Sequence, residues 1–304
     1  VIVVVCPGQG SQTPGFLAPW LDVPGLPERL ARFSDAAQLD LATHGTTSDA
    51  DTIRDTKIAQ PLIVAAGLLT LGVLLEKRRE HVGGIAGHSV GELTAAASAG
   101  ILTETDAMTL VAERGRAMAD AAALTPTGMS AVVGADETEL LTRLAELGLE
   151  PANFNGGGQV VVAGALDALE KLKSDPPLSA RVIPLHVAGA FHTRYMATAV
   201  ERLASAASAL NVQNPSLTIW SNHDGKQVST GSAFLDLLVG QVSSPVRWDK
   251  CMASFAEADV TGVIEVAPAG ALIGLAKRGL KGIPTVAVKT PDDMHAAIEM
   301  LENS

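Results

Sequence analysis

Cysteine is nearly absent: two occur in 304 residues, Cys6 and Cys251, and neither belongs to a CxxC pair. That excludes a disulfide framework and gives no metal signature. Isolated thiols suit a reducing compartment, so the chain is expected in the cytoplasm. Positive charge is also in deficit, with Lys+Arg 22 against Asp+Glu 33 and a net charge of −11. General nucleic-acid binding needs a large basic footprint and is excluded. No basic stretch precedes the apolar start at residues 1–6, which meets Pro7-Gly8 at once. It reads as a buried strand and not as a signal peptide. The longest largely apolar run, residues 61–75, has 15 residues. A membrane span needs ~20, so a core helix is expected there and no membrane partner.

What is present is a foldable chain, 47% hydrophobic and 18% charged, long enough for one large α/β domain or two modest ones. Short β-branched runs alternate with longer Ala/Leu-rich stretches, the rhythm of a mainly parallel sheet. Strands are expected at 1–6, 85–87, 181–187, 217–221, 263–266 and 285–288, and helices at 59–80, 90–99, 104–123, 193–210 and 234–239. From Thr127 the rhythm changes. Strand 129–133, helix 137–147, strand 159–163, helix 165–173 and the strand from Arg181 suggest a small ferredoxin-like insert. The division expected is therefore 127–188 for a small subdomain, with 1–126 and 189–304 forming the large one.

Gly87-His88-Ser89-Val90-Gly91 fits G-x-S-x-G between a strand and a helix, the context of a nucleophile elbow. The helix starting at Val90 would aim its N–H groups at an oxyanion on Ser89. The plain alternative is a glycine-rich turn with an incidental serine. Of seven histidines, His192 is the candidate base. It follows the strand 181–187 and opens the next helix, where an imidazole is pushed toward its neutral form. A cap-region histidine without a role is the competing reading. His186 reads as a packed core residue, and His88 as pointing away from Ser89. No acid stands where an esterase would place one. Gln241, by its side chain or its carbonyl, is the candidate to orient His192; otherwise it is a turn residue.

Arg114 lies in the middle of an apolar arc of helix 104–123, formed by Ala107, Leu110, Val111, Met118 and Ala121, while Arg116 points the opposite way. A guanidinium in an apolar stripe requires an anion. Either an internal carboxylate or a substrate carboxylate satisfies that need. Gly8-Gln9-Gly10 follows the first strand and lets backbone approach a ligand, but Thr13 breaks the dinucleotide fingerprint.

These motifs occur in one order: Gly8-Gln9-Gly10-Ser11-Gln12, Gln60-Pro61, Gly87 to Glu92, Glu113-Arg114-Gly115, Asn153-Phe154-Asn155, Ala190-Phe191-His192, then Gln241 through Pro245-Val246-Arg247-Trp248. Jointly they resemble the bacterial malonyl-CoA:acyl carrier protein transacylases of type II fatty acid synthesis, with a weaker likeness to actinobacterial members. The resemblance implies a hydrolase-like large subdomain carrying the ferredoxin-like one, and ping-pong acyl transfer by a Ser–His dyad. It implies Ser89 as nucleophile, His192 as base, Arg114 on the malonyl carboxylate, Gln241 orienting His192, and the N–H groups of Gln9 and Val90 as oxyanion hole. Phe191 resembles the malonyl-type pattern that disfavours an α-methyl. Asn155 is a further substrate-binding candidate, although Gly156-Gly157-Gly158 follows it where relatives commonly carry proline. Malonyl-CoA and acyl carrier protein are the implied partners, of a monomer without metal or cofactor. An excised polyketide-synthase acyltransferase, a serine thioesterase or esterase, and a silent carrier-docking module are the rival readings; the termini favour a stand-alone enzyme. Lys277, Arg278 and Lys281, with Lys289, are either a docking patch for an acidic carrier protein or an ordinary solvated helix end.

Overall fold

The computed structural model describes residues 1–303. Its strands in chain order are β1 Ile2–Cys6, β2 Val82–Gly87, β3 Thr127–Val133, β4 Glu150–Gly156, β5 Gln159–Ala165, β6 Arg181–Leu185, β7 Ile219–Trp220, β8 Val246–Arg247, β9 Gly262–Glu265 and β10 Thr285–Ala287. The helices begin with α1 Leu26–Ala37, α2 Leu41–Thr46, α3 Ala50–Arg54, α4 Thr56–Leu74, α5 Gly91–Ser98 and α6 Glu104–Leu124. They continue with α7 Glu137–Leu147, α8 Leu166–Ser174, α9 Ala197–Ser208, α10 Gly231–Gln241, α11 Trp248–Glu257, α12 Ala271–Gly279 and α13 Met294–Glu302.

β1 is buried at all five positions, as a Val/Ile run must be when helices cover both faces of a sheet. It sits at the centre of a parallel sheet ordered β10-β9-β1-β2-β7. The second sheet is ordered β6-β3-β5-β4-β8. Its first four strands are antiparallel and, with α7 and α8, form the βαββαβ arrangement of a ferredoxin-like unit. β8 comes from outside that stretch and pairs parallel with β4. There the Arg247 guanidinium lies 4.4 Å from the centroid of the Phe154 ring. The two-sheet α/β architecture expected from sequence is the one found.

Several boundaries differ, each for a local reason. The sequence pattern lacks β4, because Pro151, Asn153, Asn155 and Gly156 are poor strand formers. The strand is held by its neighbours and shifts register twice. α4 starts three residues before the expected helix, where the Asp55 side chain accepts the Lys57 N–H. It stops at Leu74, and Lys77 is already left-handed at φ +59°. This 19-residue helix is long and apolar enough by composition to cross a membrane, yet 83% of it is buried inside the protein. Burial within the fold, not the short length inferred from sequence, marks it as a core helix. β6 ends at Leu185 and is an exposed edge, so His186 is a surface residue and not the core residue expected.

α12 follows Gly270 and has no local side-chain cap. The cap is remote: Glu265, fully buried at the end of β9, accepts the N–H groups of Gly270, Leu272 and Ile273 at 2.8, 3.0 and 2.9 Å. One carboxylate thus ties the sheet to the helix start, where orphan donors and the dipole favour it. Glu265→Ala should cost about 2 kcal/mol or more by stranding these donors. Thermal denaturation followed by circular dichroism should then show a Tm several degrees lower; an unchanged Tm would remove Glu265 from the stability account.

Candidate active site

The site is built where β2 ends. Ser89 sits at φ +53°, a left-handed conformation that costs a non-glycine residue and persists only when its surroundings enforce it. Two glycines allow the turn. A Cβ on Gly87 would lie 2.0 Å from the Gly91 carbonyl carbon, and one on Gly91 would lie 2.1 Å from the Cys6 carbonyl oxygen. Asn222 locks the turn from beneath. Its Oδ1 accepts the Ser89 N–H at 2.8 Å, and its Nδ2 donates to the Gly87 carbonyl at 2.7 Å. The serine hydroxyl therefore stands clear at the start of α5.

His192 meets it from the other side, also left-handed at φ +62°. Its Nε2 lies 2.7 Å from Ser89 Oγ and its Nδ1 lies 2.8 Å from the Gln241 carbonyl. A carbonyl only accepts, so Nδ1 carries the proton and Nε2 keeps the lone pair that faces the hydroxyl. The imidazole pKa is lowered to about 3, first by burial and then by the Arg114 charge, with the Gln241 carbonyl pulling the other way. Burial, not the helix start expected from sequence, keeps it neutral. Thr193 intervenes and a short 3-10 turn precedes α9.

Arg114 is 1% exposed on α6, whereas Arg116 is exposed and pairs with Glu113 at 3.2 Å. No carboxylate touches the Arg114 guanidinium among the described residues. Two amides hold it: Nη1 donates to Gln60 Oε1 at 2.6 Å and Nη2 to Gln241 Oε1 at 2.8 Å. Nη2 also lies 3.5 Å from Ser89 Oγ, and Nε has no partner among the described residues. Nε, itself buried, is thus the guanidinium nitrogen left without an acceptor among the described residues, next to an Nη2 that faces Ser89. Burial lowers its pKa to about 10, opposed by the Glu92 charge, so the group stays cationic at neutral pH.

Ser89, His192, Arg114, Gln9, Val90 and Phe191 line one pocket of about 90 Å³. Its rim residues Leu185 and Val187 also line an open groove of about 940 Å³. Gln241 lies one layer behind, and the sequence left its route to His192 open; the carbonyl makes that contact while the side chain reaches Arg114. Asn155 is placed elsewhere. Its Oδ1 bonds His88 Nε2 at 2.9 Å and its Nδ2 donates to Gln159 at 2.9 Å, and Asn153 takes the lining position. His88 packs edge-on against Trp248 and also lines the pocket.

Three site residues had no role in the sequence reading. Gln60 was seen only within a motif, Asn222 not at all, and Glu92 only as the residue after the elbow. Glu92 is 1% exposed, and burial pushes its carboxyl up to about 8 against the Asn222 N–H and the Arg114 charge. The G-x-S-x-G-E spacing carried a signal for Glu92, since it puts an acid on the buried first turn of α5. Lys277 and Arg278 end α12 on the surface, with Lys281 and Lys289 also exposed. Among the described residues no group of three His, Cys, Asp or Glu is placed to hold a metal.

The chain's relatives extend over the same whole. The acyl transferase domain family matches residues 3–294. A malonyl CoA-acyl carrier protein transacylase from Mycobacterium tuberculosis is 52% identical over 298 residues, which is 97% of this chain and 98% of that one. The crystal structure of MCAT from Mycobacterium tuberculosis superposes with a TM-score of 0.94 at 51% identity, covering 98% of this chain and 99% of its own. A malonyl-transacylase in complex with its type II PKS acyl-carrier protein gives 0.91 at 30% identity, covering 98% of this chain and 99% of that chain. A serine held in a strained turn against a neutral imidazole, within a fold shared end to end with these proteins, has one family context: the chain belongs to the acyl transferase domain family, among the malonyl CoA-acyl carrier protein transacylases.

Proposed function

We propose that the protein moves a malonyl group from malonyl-CoA to the phosphopantetheine thiol of an acyl carrier protein through an ester on Ser89. His192 Nε2 takes the hydroxyl proton as Ser89 Oγ attacks the thioester carbonyl. The oxyanion is received by the N–H groups of Val90 and Gln9, as the family resemblance implies, while the Ser89 N–H is committed to Asn222. The intermediate collapses by breaking the C–S bond, and His192 returns its proton to the coenzyme A thiolate. In the second half His192 takes the proton of the carrier thiol, the sulfur attacks the ester, and Ser89 leaves with that proton. Substrates, Ser89 and His192 supply every bond and proton, so the proposal invokes no cofactor. His192 has no carboxylate behind it and is a mild base, which suffices for a thioester.

The observation that carries this reading is a buried guanidinium beside Ser89 Oγ that has no carboxylate partner and an unpaired Nε among the described residues. It would seat a carboxylate on the acyl group while the thiols exchange. We assign Phe191, beside His192 in the pocket lining, the exclusion of a branched α-carbon. The surface lysines and arginine at the end of α12 are the proposed landing site for an acidic carrier protein.

Mass spectrometry of the intact protein after malonyl-CoA tests the first half-reaction. An adduct should form, map to Ser89, transfer to added holo-carrier protein, and vanish in Ser89→Ala. Release to water in place of transfer would favour a thioesterase, and an adduct surviving in Ser89→Ala would move the nucleophile.

Arg114→Ala should lower kcat/KM for malonyl-CoA on the order of a hundredfold, since two charge-assisted hydrogen bonds are lost at ~1.5–3 kcal/mol each. Acetyl-CoA has no carboxylate to strand and should lose several-fold less. Arg116→Ala, across the helix, should alter neither. Equal losses for both substrates in Arg114→Ala would make Arg114 a structural residue.

The pH dependence has a definite sign. A base with its pKa lowered to about 3 is neutral throughout the physiological range and is lost only in strong acid. Labelling of Ser89 by a fluorophosphonate should therefore stay level from about pH 8 down to about pH 5. A fall centred at the ordinary imidazole value near ~6.5 would contradict the buried, neutral base.

A further inference from the structure

We propose that Glu92 is the positioning residue that aims the acyl-carboxylate clamp, acting on Arg114 through the side-chain amide of Gln241. The inference rests on the reading of Arg114 given above and deepens it. Glu92 stands on the first turn of α5, three residues after the nucleophile, and touches neither Ser89 Oγ nor Arg114 by hydrogen bond. Its Oε1 accepts the Asn222 backbone N–H at 2.6 Å and its Oε2 accepts Gln241 Nε2 at 2.6 Å. Gln241 Oε1 in turn accepts Arg114 Nη2 at 2.8 Å. The relay is therefore carboxylate, amide, guanidinium, and all three side chains are buried.

The polarity of this relay is fixed at both ends. A guanidinium only donates, and both Glu92 oxygens act as acceptors. The amide between them has one orientation that satisfies both neighbours, with NH₂ toward Glu92 and oxygen toward Arg114. That oxygen holds Nη2 where Ser89 Oγ lies 3.5 Å away and leaves Nε without an acceptor among the described residues. The guanidinium charge strengthens its bond to the amide.

Glu92→Gln is the informative substitution because it preserves volume and inverts polarity. The Asn222 N–H is backbone and cannot turn, so the new side chain must give it the oxygen. Its NH₂ then faces Gln241 Nε2: either two donors stay opposed, or the amide flips, which sets an NH₂ against Arg114 Nη2 and takes Nε2 off the Ser89 carbonyl and Asn222 Oδ1. Either way the anchor of the guanidinium is disturbed with no atom deleted.

The experiment measures kcat/KM for malonyl-CoA and acetyl-CoA in wild type, Glu92→Gln, Gln241→Met and the double variant, with Arg114→Ala as reference and thermal melting as the check on folding. The ratio of malonyl to acetyl should fall on the order of tenfold in Glu92→Gln and in Gln241→Met. The double variant should lose no more than the worse single, since both break one chain of contacts. Gln241→Met keeps the question open to measurement if Glu92→Gln proves unstable, because the backbone carbonyl that holds His192 is untouched. A folded Glu92→Gln with wild-type selectivity would overturn the proposal. So would equal loss for both substrates, or selectivity losses that multiply in the double variant. If Arg114→Ala itself lowers both substrates alike, the clamp reading fails and the proposal falls with it. If Arg114→Ala loses selectivity and the relay variants keep it, the clamp stands and only the role of Glu92 is rejected.

Discussion

A cation sealed inside the fold is the constraint around which the rest is arranged. Arg114 is almost wholly buried and, among the described residues, makes no hydrogen bond to an acid. Burying an unpaired guanidinium is expensive, and neutral amides answer only part of that demand. Gln60 on α4, Gln241 at the end of α10 and Arg114 on α6 must meet at one point, so three helices are pinned against one another. Glu92 on α5 joins them through Gln241, which brings in the helix that follows Ser89. An error in the docking of any of these helices would leave a charge or an amide unsatisfied in the core.

The elbow is the second constraint, and it is backbone in kind. Gly87, Gly91 and the chain at Cys6 approach so closely that no side chain fits at either glycine. Asn222, arriving from beyond β7, closes the hydrogen bonds that this approach leaves open. Strain at Ser89 and at His192 is thereby held by contacts remote in sequence. The hydroxyl and the imidazole are thus held within hydrogen-bond reach and need not search for one another.

Local chemistry made some of this legible in the sequence. The G-x-S-x-G turn and the place of Arg114 in an apolar arc depend on residues a few positions apart, and both survived into three dimensions. α1 is absent from the expected helices, although Leu26, Leu30, Phe33 and Ala37 recur on one face. What stayed hidden depends on partners distant in the chain. β4 is a strand because β8, as well as the neighbouring β5, flanks it. Asn222 and Glu92 have roles only once β7 and α5 lie side by side. His186 was misplaced because an edge strand and a buried strand share one propensity; exposure is set by what packs outside them.

The contact that orients His192 is made by a main-chain carbonyl, and this separates the two duties of position 241. Every amino acid carries that oxygen, so no codon change there can remove it outright. Substitution at this position tests only the side chain, which serves Arg114 and Glu92. A change of side chain at position 241 therefore alters the surroundings of Arg114 while the His192 ring stays held. Placing the acceptor for the imidazole in the backbone separates the geometry of the ring from the identity of the residue that supplies it.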